Sequence, residues 1–168
     1  GQTDAANAYL AKIITDYQSD QNYPKALSKR AWKAYLDKDY AGAVEGMKLF
    51  IEQSQPSTTR AQAMFALGDC LRRTGQLAEA VRQFDALIKA ISPPDNPYGT
   101  SQADKDRNAK LLEQARFNFA YSLSRLPNDA TRRAAVAKLG EFLQTYPQSE
   151  LAPKGLNEDI VRFISAKK

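Results

Sequence analysis

The chain has 168 residues, with 24 Lys and Arg against 19 Asp and Glu, no histidine and one cysteine. The absence of histidine removes the commonest general base and metal ligand, and a single cysteine excludes an internal disulfide or a zinc site built from several cysteines. No apolar run approaches the roughly 18 residues of a membrane-spanning helix. The sequence therefore predicts a non-catalytic protein with no metal, cofactor or membrane span.

Helix-forming residues dominate and β-branched residues are scarce, which favours an all-α fold. Gly75 predicts a helix stop, Thr59 with Gln62 predicts a capping box, and Ser101 or Asp104 is expected to open a long helix. In chain order, helices are predicted at 3–18, 24–36, 40–54, 60–74, 77–91, 103–126 and 130–145, with a short eighth helix near 154–166.

A small residue recurs in the middle of three apolar helices, as Ala31, Gly68 and Ala120. Ala31 and Gly68 are 37 residues apart, and so are Ala43 and Ala80. Because an interior glycine costs a helix roughly 1 kcal/mol against alanine, the shared register predicts a packing role for Gly68. We expect Gly68 to face Ala80 across a helix hairpin. By the same register, Ala31 should face Ala43.

The stretch GDCLRRTGQLAEAVRQFDALI resembles the tetratricopeptide repeat, with small residues, a glycine and an aromatic at that repeat's usual positions. The unit 61–94 matches well, 24–56 carries Lys38 where glycine is usual, and 113–147 has a longer turn. This resemblance implies an all-α, right-handed superhelical array of antiparallel helix hairpins. It would contain about three repeats plus flanking single helices.

On this register, 1–168 is a single tetratricopeptide-like domain. An orphan helix at its start and the initial Gly1 lead us to expect a piece of a larger protein. Its expected parts are an orphan second helix (1–22), a first repeat (24–56), a second repeat (61–94), an insertion that extends the next helix (95–112), a third repeat (113–147) and a capping helix (153–168).

The ending QTYPQSELAP resembles repeats of bacterial cell-envelope proteins, such as periplasmic partners of the Tol-Pal machinery and outer-membrane assembly lipoproteins. This resemblance implies a location in the bacterial periplasm or cell envelope. It leaves the biological process and the partner undefined.

The family resemblance implies that the first helix of each hairpin lines a concave groove that binds a protein or peptide of unknown identity. Aromatic rings flanked by cations suit such a surface, although neighbouring units could instead bury several of the rings. The register also gives Gln62 and Gln114. The expected groove residues are Lys25, Lys29, Trp32, Tyr35, Phe65, Asp69, Arg72, Arg73, Phe117, Asn118, Tyr121 and Arg125.

Several alternatives stay open beside a polypeptide-binding scaffold. The chain could be a structural spacer, or it could associate end to end as a homo-oligomer. A nucleic-acid-binding helical repeat would need its Lys and Arg on one continuous face, whereas they are spread around every predicted helix. A carboxylate-dependent hydrolase would need two acids about 5–10 Å apart, and no pair in the sequence suggests them. The loop 92–100 could grip a partner or act as a spacer that lengthens the next helix.

Overall fold

The computed structural model describes residues 23–151, together with residues 8, 12, 15 and 16. Those four isolated residues are helical and belong to the predicted helix 3–18, and the predicted helix 154–166 lies outside the described residues. No described residue lies in a strand. The helices are α1 (Tyr23–Leu36), α2 (Tyr40–Gln53), α3 (Thr58–Arg73), α4 (Leu77–Ile91), α5 (Gln102–Ser124) and α6 (Asp129–Thr145).

These helices form three successive hairpins, α1–α2, α3–α4 and α5–α6. Each helix packs against the next along the chain, and α3 also contacts the first helices of both neighbouring hairpins, α1 and α5. The prediction of an all-α array of stacked helix hairpins is confirmed. None of the described helices combines the length and the hydropathy needed to span a bilayer.

In the first two hairpins the helices approach each other closely at a glycine. A Cβ placed on Gly68 would lie 2.7 Å from Cε1 of Phe84, so the glycine makes room for a buried aromatic ring and does not face Ala80 first. In the first hairpin, a Cβ on Gly46 would lie 2.9 Å from the Cβ of Ala31. Phe84 is the nearest neighbour of Gly68 because the rotation of one helix against the other decides which residues meet first. The pairing of Ala31 with Ala43 stays a prediction.

The turns inside the first two hairpins share one backbone conformation. Gly75 has φ of 79° and Lys38 has φ of 62°, and the two residues are 37 positions apart. Lys38 therefore adopts the left-handed conformation at the position where the repeat usually has glycine, at a cost of roughly 1–2 kcal/mol. The hairpin geometry is retained although the residue type is not.

The start of α3 also differs from the prediction. The side chain of Ser57 accepts a hydrogen bond from the backbone N–H of Arg60, and its own backbone is extended, so Ser57 is the N-cap. Thr59 already lies inside the helix and cannot cap it. At the start of α5, Ser101 is the N-cap, and its hydroxyl oxygen accepts from the backbone N–H of Asp104.

The loop 92–100 packs back onto the array. Asn96 donates to the carbonyl oxygens of Ile91 and Pro93 and accepts from the backbone N–H of Tyr98, which closes the loop on itself. The Tyr98 ring is buried and has the Arg60 guanidinium 5.9 Å from its centroid. After this loop α5 runs for 23 residues, against 14 in α1 and 16 in α3. The first helix of the third hairpin is thus lengthened at its N-terminal end.

Candidate functional site

A buried carboxylate joins the first helices of the first two hairpins. Asp69 in α3 is 6% exposed. Its Oδ2 accepts hydrogen bonds from the Tyr35 hydroxyl of α1 at 3.0 Å and from Nε of Arg73 at 2.7 Å, and its Oδ1 accepts one from Nη2 of Arg72 at 2.6 Å. Charge-assisted hydrogen bonds of this kind are among the stronger polar contacts in proteins. They hold the end of α1 against the C-terminal part of α3.

Burial and ion pairing act on Asp69 in opposite directions. Burial is the largest single influence and opposes ionisation, but the hydrogen bonds from Arg73, Arg72 and Tyr35 and the charge of Arg72 together outweigh it and lower the pKa of Asp69. Burial, followed by the charge of Asp69, raises the pKa of Tyr35 from 10.0 to about 12. At neutral pH the carboxylate is therefore ionised and Tyr35 keeps its proton to donate.

Each of the two arginines lies over one aromatic ring. The guanidinium of Arg73 lies 5.0 Å from the ring centroid of Tyr40, and that of Arg72 lies 5.7 Å from the ring centroid of Tyr121. Such cation–π contacts contribute about 0.5–1 kcal/mol at exposed sites. The Tyr35 ring meets Trp32 and Tyr40 edge to face, with centroids 5.8 and 6.2 Å apart. We call these residues the Asp69 cluster: Trp32, Tyr35, Tyr40, Asp69, Arg72, Arg73 and Tyr121.

The Asp69 cluster reaches across all three hairpins, since it includes residues of α1, α2, α3 and α5. It contains one carboxylate and two guanidinium groups, so a formal positive charge is left over. The Arg73 side chain is 45% exposed and that of Arg72 is 23% exposed. A ligand on this surface would meet aromatic rings and cations that are already held in place.

The structure brings six of the predicted groove residues into the Asp69 cluster and places the others elsewhere. Phe65 is half-buried against Phe84, with ring centroids 5.7 Å apart. Phe117 is buried; its ring stacks on Tyr121 and packs against Phe142 of α6. The remaining four lie outside the cluster: Asn118 donates to a carbonyl of its own helix, and Lys25, Lys29 and Arg125 are exposed.

Sequence reasoning missed one member of the Asp69 cluster, Tyr40. The register assigned groove positions only to first helices, whereas Tyr40 is the first residue of α2. A signal was nevertheless present. Because only a short turn separates Tyr40 from Tyr35, the start of α2 must lie beside the end of α1, and both residues are aromatic.

Neither a nucleophilic cysteine nor a metal site is supported at the Asp69 cluster. The Cys70 thiol is buried, and burial followed by the charge of Asp69 raises its pKa to about 11, so it stays protonated and a poor nucleophile at neutral pH. Within the described part of the chain, no group of three or more His, Cys, Asp or Glu side chains is placed to hold a metal ion.

Comparison with protein families identifies one stretch. Residues 62–90, which cover most of α3 and all but the last residue of α4, match a tetratricopeptide repeat family. Repeats of this family generally mediate protein–protein interaction and are typically non-catalytic. A comparison with curated protein sequences gave no significant match.

Proposed function

We propose that this protein is a non-catalytic scaffold that binds a partner polypeptide across its first helices, with the Asp69 cluster at the centre of the contact. The observation that carries the proposal is the pre-ordered row of aromatic and guanidinium groups across α1, α3 and α5. The match of 62–90 to a family of interaction repeats supports the same class of function.

The composition of the cluster suits protein recognition. Trp, Tyr and Arg are the residue types most enriched among those that dominate binding energy at protein interfaces. Hydrogen bonds and ring contacts already restrain Tyr35, Arg72 and Arg73, so little side-chain entropy is lost when a partner docks. The excess of cations favours a partner segment that carries carboxylates, and it should speed association at low salt.

Site-specific crosslinking would test which face binds. A photoreactive amino acid placed at Lys29 or Arg125, two exposed positions on and beside the first helices, should crosslink to the partner in lysate of the source cell. The same group at Arg82 of α4 or Arg133 of α6, which are also exposed, should not. Crosslinks that come only from Arg82 and Arg133 would refute binding on the first helices.

A variant that lacks two aromatic rings of the Asp69 cluster tests whether the cluster is needed for binding. Trp32→Ala/Tyr121→Ala should lose the crosslinked partner, while its far-ultraviolet circular dichroism stays that of a helical protein. Tyr146→Ala removes an aromatic ring from the end of α6 and serves as the matched control, because it should retain the partner. Equal recovery from both variants would move the contact away from the Asp69 cluster.

We further propose that the chain is part of a larger bacterial envelope protein. The support is the likeness of QTYPQSELAP to repeats of that class. Immunoblots of periplasmic and cytosolic fractions should place the full-length protein in the periplasm or envelope, and a purely cytosolic signal would overturn this.

Self-association through the ends of the array is the competing arrangement, and it needs no groove. Light scattering over a hundredfold concentration range separates the two. A mass that stays that of one chain excludes end-to-end association.

A further inference from the structure

One side of α1 carries a line of positive charge. The helix has four cations and no acidic residue in its sequence, YPKALSKRAWKAYL. Lys25, Lys29 and Lys33 follow one another at intervals of four residues and therefore lie along one side of the helix. Leu36 comes three residues after Lys33 and continues the same line. We call Lys25, Lys29, Lys33 and Leu36 the α1 stripe.

The α1 stripe faces away from the core. Lys25 and Lys29 are exposed, whereas Leu27 and Ala31, on the other side of the helix, are buried in the main apolar cluster. Leu36 is 75% exposed and is one of two large hydrophobic side chains found exposed among the described residues. A single exposed leucine is ordinary in a folded protein. What distinguishes Leu36 is its place at the end of a line of cations.

The charges of α1 lack the balance that α4 has. On α4, each cation pairs with an acid three or four residues before it. On α1, Lys33 pairs with Asp37 just beyond the helix end, but neither Lys25 nor Lys29 forms an ion pair with a described residue. Like charges four residues apart destabilise a helix. An anionic partner would relieve this repulsion.

We propose that the α1 stripe docks on the surface of an anionic phospholipid bilayer. Anionic headgroups attract basic residues that lie near the surface, and the stripe presents two unpaired lysines to them. Lysine fits a diffuse layer of headgroups, because it acts as a point charge and not as a planar fork that matches one phosphate. Apolar side chains beside cations are typical of helices that lie at the bilayer interface, and here Leu36 enters the headgroup region.

The same lysines would attract the phosphates of a nucleic acid, but the rest of the stripe favours the bilayer. Leu36 gains free energy when its apolar surface leaves water, and acyl chains offer it such a contact whereas a phosphate backbone does not. Proteins that bind single-stranded nucleic acid combine cations with aromatic rings on which the bases stack. The stripe itself contains no aromatic ring. This contact is separate from the polypeptide contact at the Asp69 cluster and does not rest on it.

Trp32 provides the measurement, because it is the only tryptophan in the chain. It comes three residues after Lys29 and four before Leu36, so it lies beside the stripe. Its fluorescence should shift to shorter wavelength when the protein is titrated with vesicles of equimolar phosphatidylglycerol and phosphatidylcholine, and brominated acyl chains should quench it. Vesicles of phosphatidylcholine alone should cause neither change. Added salt should release the protein from the anionic vesicles.

A pair of charge variants tests the lysines. Lys25→Gln/Lys29→Gln should bind the anionic vesicles at least tenfold more weakly, since each basic residue near such a surface contributes a gain of about fivefold. Arg82→Gln/Lys89→Gln removes the same charge from exposed positions of α4. It is the matched control and should bind the vesicles nearly as the parent does.

A second pair of variants tests the apolar end of the stripe. Leu36→Ala should weaken vesicle binding several-fold while the midpoint of thermal unfolding stays unchanged, because this side chain is exposed in the folded protein. Leu49→Ala removes the other exposed leucine, which lies on α2, and should leave vesicle binding unchanged.

Three results would overturn the proposal. The first is the absence of binding to the anionic vesicles, measured both by Trp32 fluorescence and by flotation of the protein with the vesicles. The second is an equal loss of vesicle binding in the two charge variants, which would assign the attraction to net charge and not to the stripe. The third is a Trp32 response to a single-stranded oligonucleotide without any response to the vesicles, which would identify a nucleic acid as the partner.

Discussion

The first two hairpins make the same fold from opposite distributions of small and large residues. In α3–α4 the glycine is on the first helix, where Gly68 receives the ring of Phe84. In α1–α2 the equivalent of Phe84, 37 residues earlier, is Met47, and the glycine is its neighbour Gly46, which receives Ala31. Both hairpins bring a side chain of one helix close to a glycine of the other. The glycine can lie on either helix of the hairpin.

The same comparison extends to the candidate site. Equivalent positions of the three first helices carry Trp32, Asp69 and Tyr121, so the middle hairpin alone supplies a carboxylate between two aromatic residues. Tyr35 and Arg72 are also equivalent, and both donate to Asp69. Repetition in the sequence therefore builds a site that does not itself repeat.

The largest expected effect is at Asp69. Asp69→Ala removes the acceptor of three hydrogen bonds and leaves Arg72 partly buried without its carboxylate. It should lower the free energy of unfolding by about 3 kcal/mol, near the lower end for breaking a buried ion pair. Urea unfolding measures this. Asp85→Ala removes a surface carboxylate that is paired with Lys89, and it should cost below about 0.5 kcal/mol. Equal losses of unfolding free energy would show that the ion pairs of Asp69 stabilise the fold no more than a surface ion pair does.

The pH dependence of unfolding gives the same test with a defined sign. The folded state lowers the pKa of Asp69, so its contribution to stability is present above the unfolded value of about 4 and is lost as the pH falls below it. Asp69→Asn should therefore lose less stability than the parent between neutral pH and pH 3. A parallel decline in the two proteins would contradict the assigned ion pairing.

A methyl group at Gly68 would break the packing of the second hairpin. The new Cβ falls 2.7 Å from the buried Phe84 ring, and overpacking costs typically 1–3 kcal/mol, of which better helix propensity returns about 1. We therefore expect Gly68→Ala to lower the free energy of unfolding by up to about 2 kcal/mol, as measured by urea unfolding. Adding Phe84→Met should cost less in the Gly68→Ala background than in the parent, because the pair then resembles Ala31 and Met47 of the first hairpin. If the losses of unfolding free energy from the two substitutions simply add, a methyl group at position 68 and the Phe84 ring do not compete for the same space, and this interpretation is refuted.

The turn residues should respond in opposite directions. Lys38→Gly relieves a left-handed lysine and should stabilise the protein by about 0.5–1 kcal/mol, whereas Gly75→Ala imposes that strain and should destabilise it by about 1 kcal/mol. Thermal unfolding would show both shifts. Lys38→Ala, which keeps a Cβ in the same conformation, is the control and should lack the gain of the glycine variant. A stabilised Gly75→Ala would show that the two turns are not equivalent.

The smallest effect concerns Tyr35. Tyr35→Phe removes one of three donors to Asp69 and should cost about 0.5–1 kcal/mol at neutral pH. Its folded pKa is raised to about 12, so the parent loses stability as the pH rises from the unfolded value of 10 toward 12, and the variant lacks that loss. The stability gap should narrow across this window in alkaline urea unfolding. Tyr146→Phe, which lies outside the Asp69 cluster and packs against Phe142, serves as the control. A gap that widens instead would contradict the assigned contact.

Much of the array follows from local patterns in the sequence. The predicted bounds of α4 agree with the structure, and those of the other five helices differ by one or two residues, because apolar spacing and turn residues act within a few positions of the chain. The 37-residue period also revealed the hairpins and the equivalence of Lys38 with Gly75. The caps were harder, since Ser57 and Thr59 both suit an N-cap and only the backbone conformation separates them.

By itself, therefore, the sequence determined the helices, their order and the repeat, all of which depend on contacts between near neighbours. Tertiary structure alone decided that Gly68 meets Phe84 and that the buried amide Nδ2 of Asn108 has no hydrogen-bond partner among the described residues. Each of these depends on how two helices are rotated about their own axes. That rotation is set by the sum of many small packing contacts between distant residues, and no short stretch of the chain carries it.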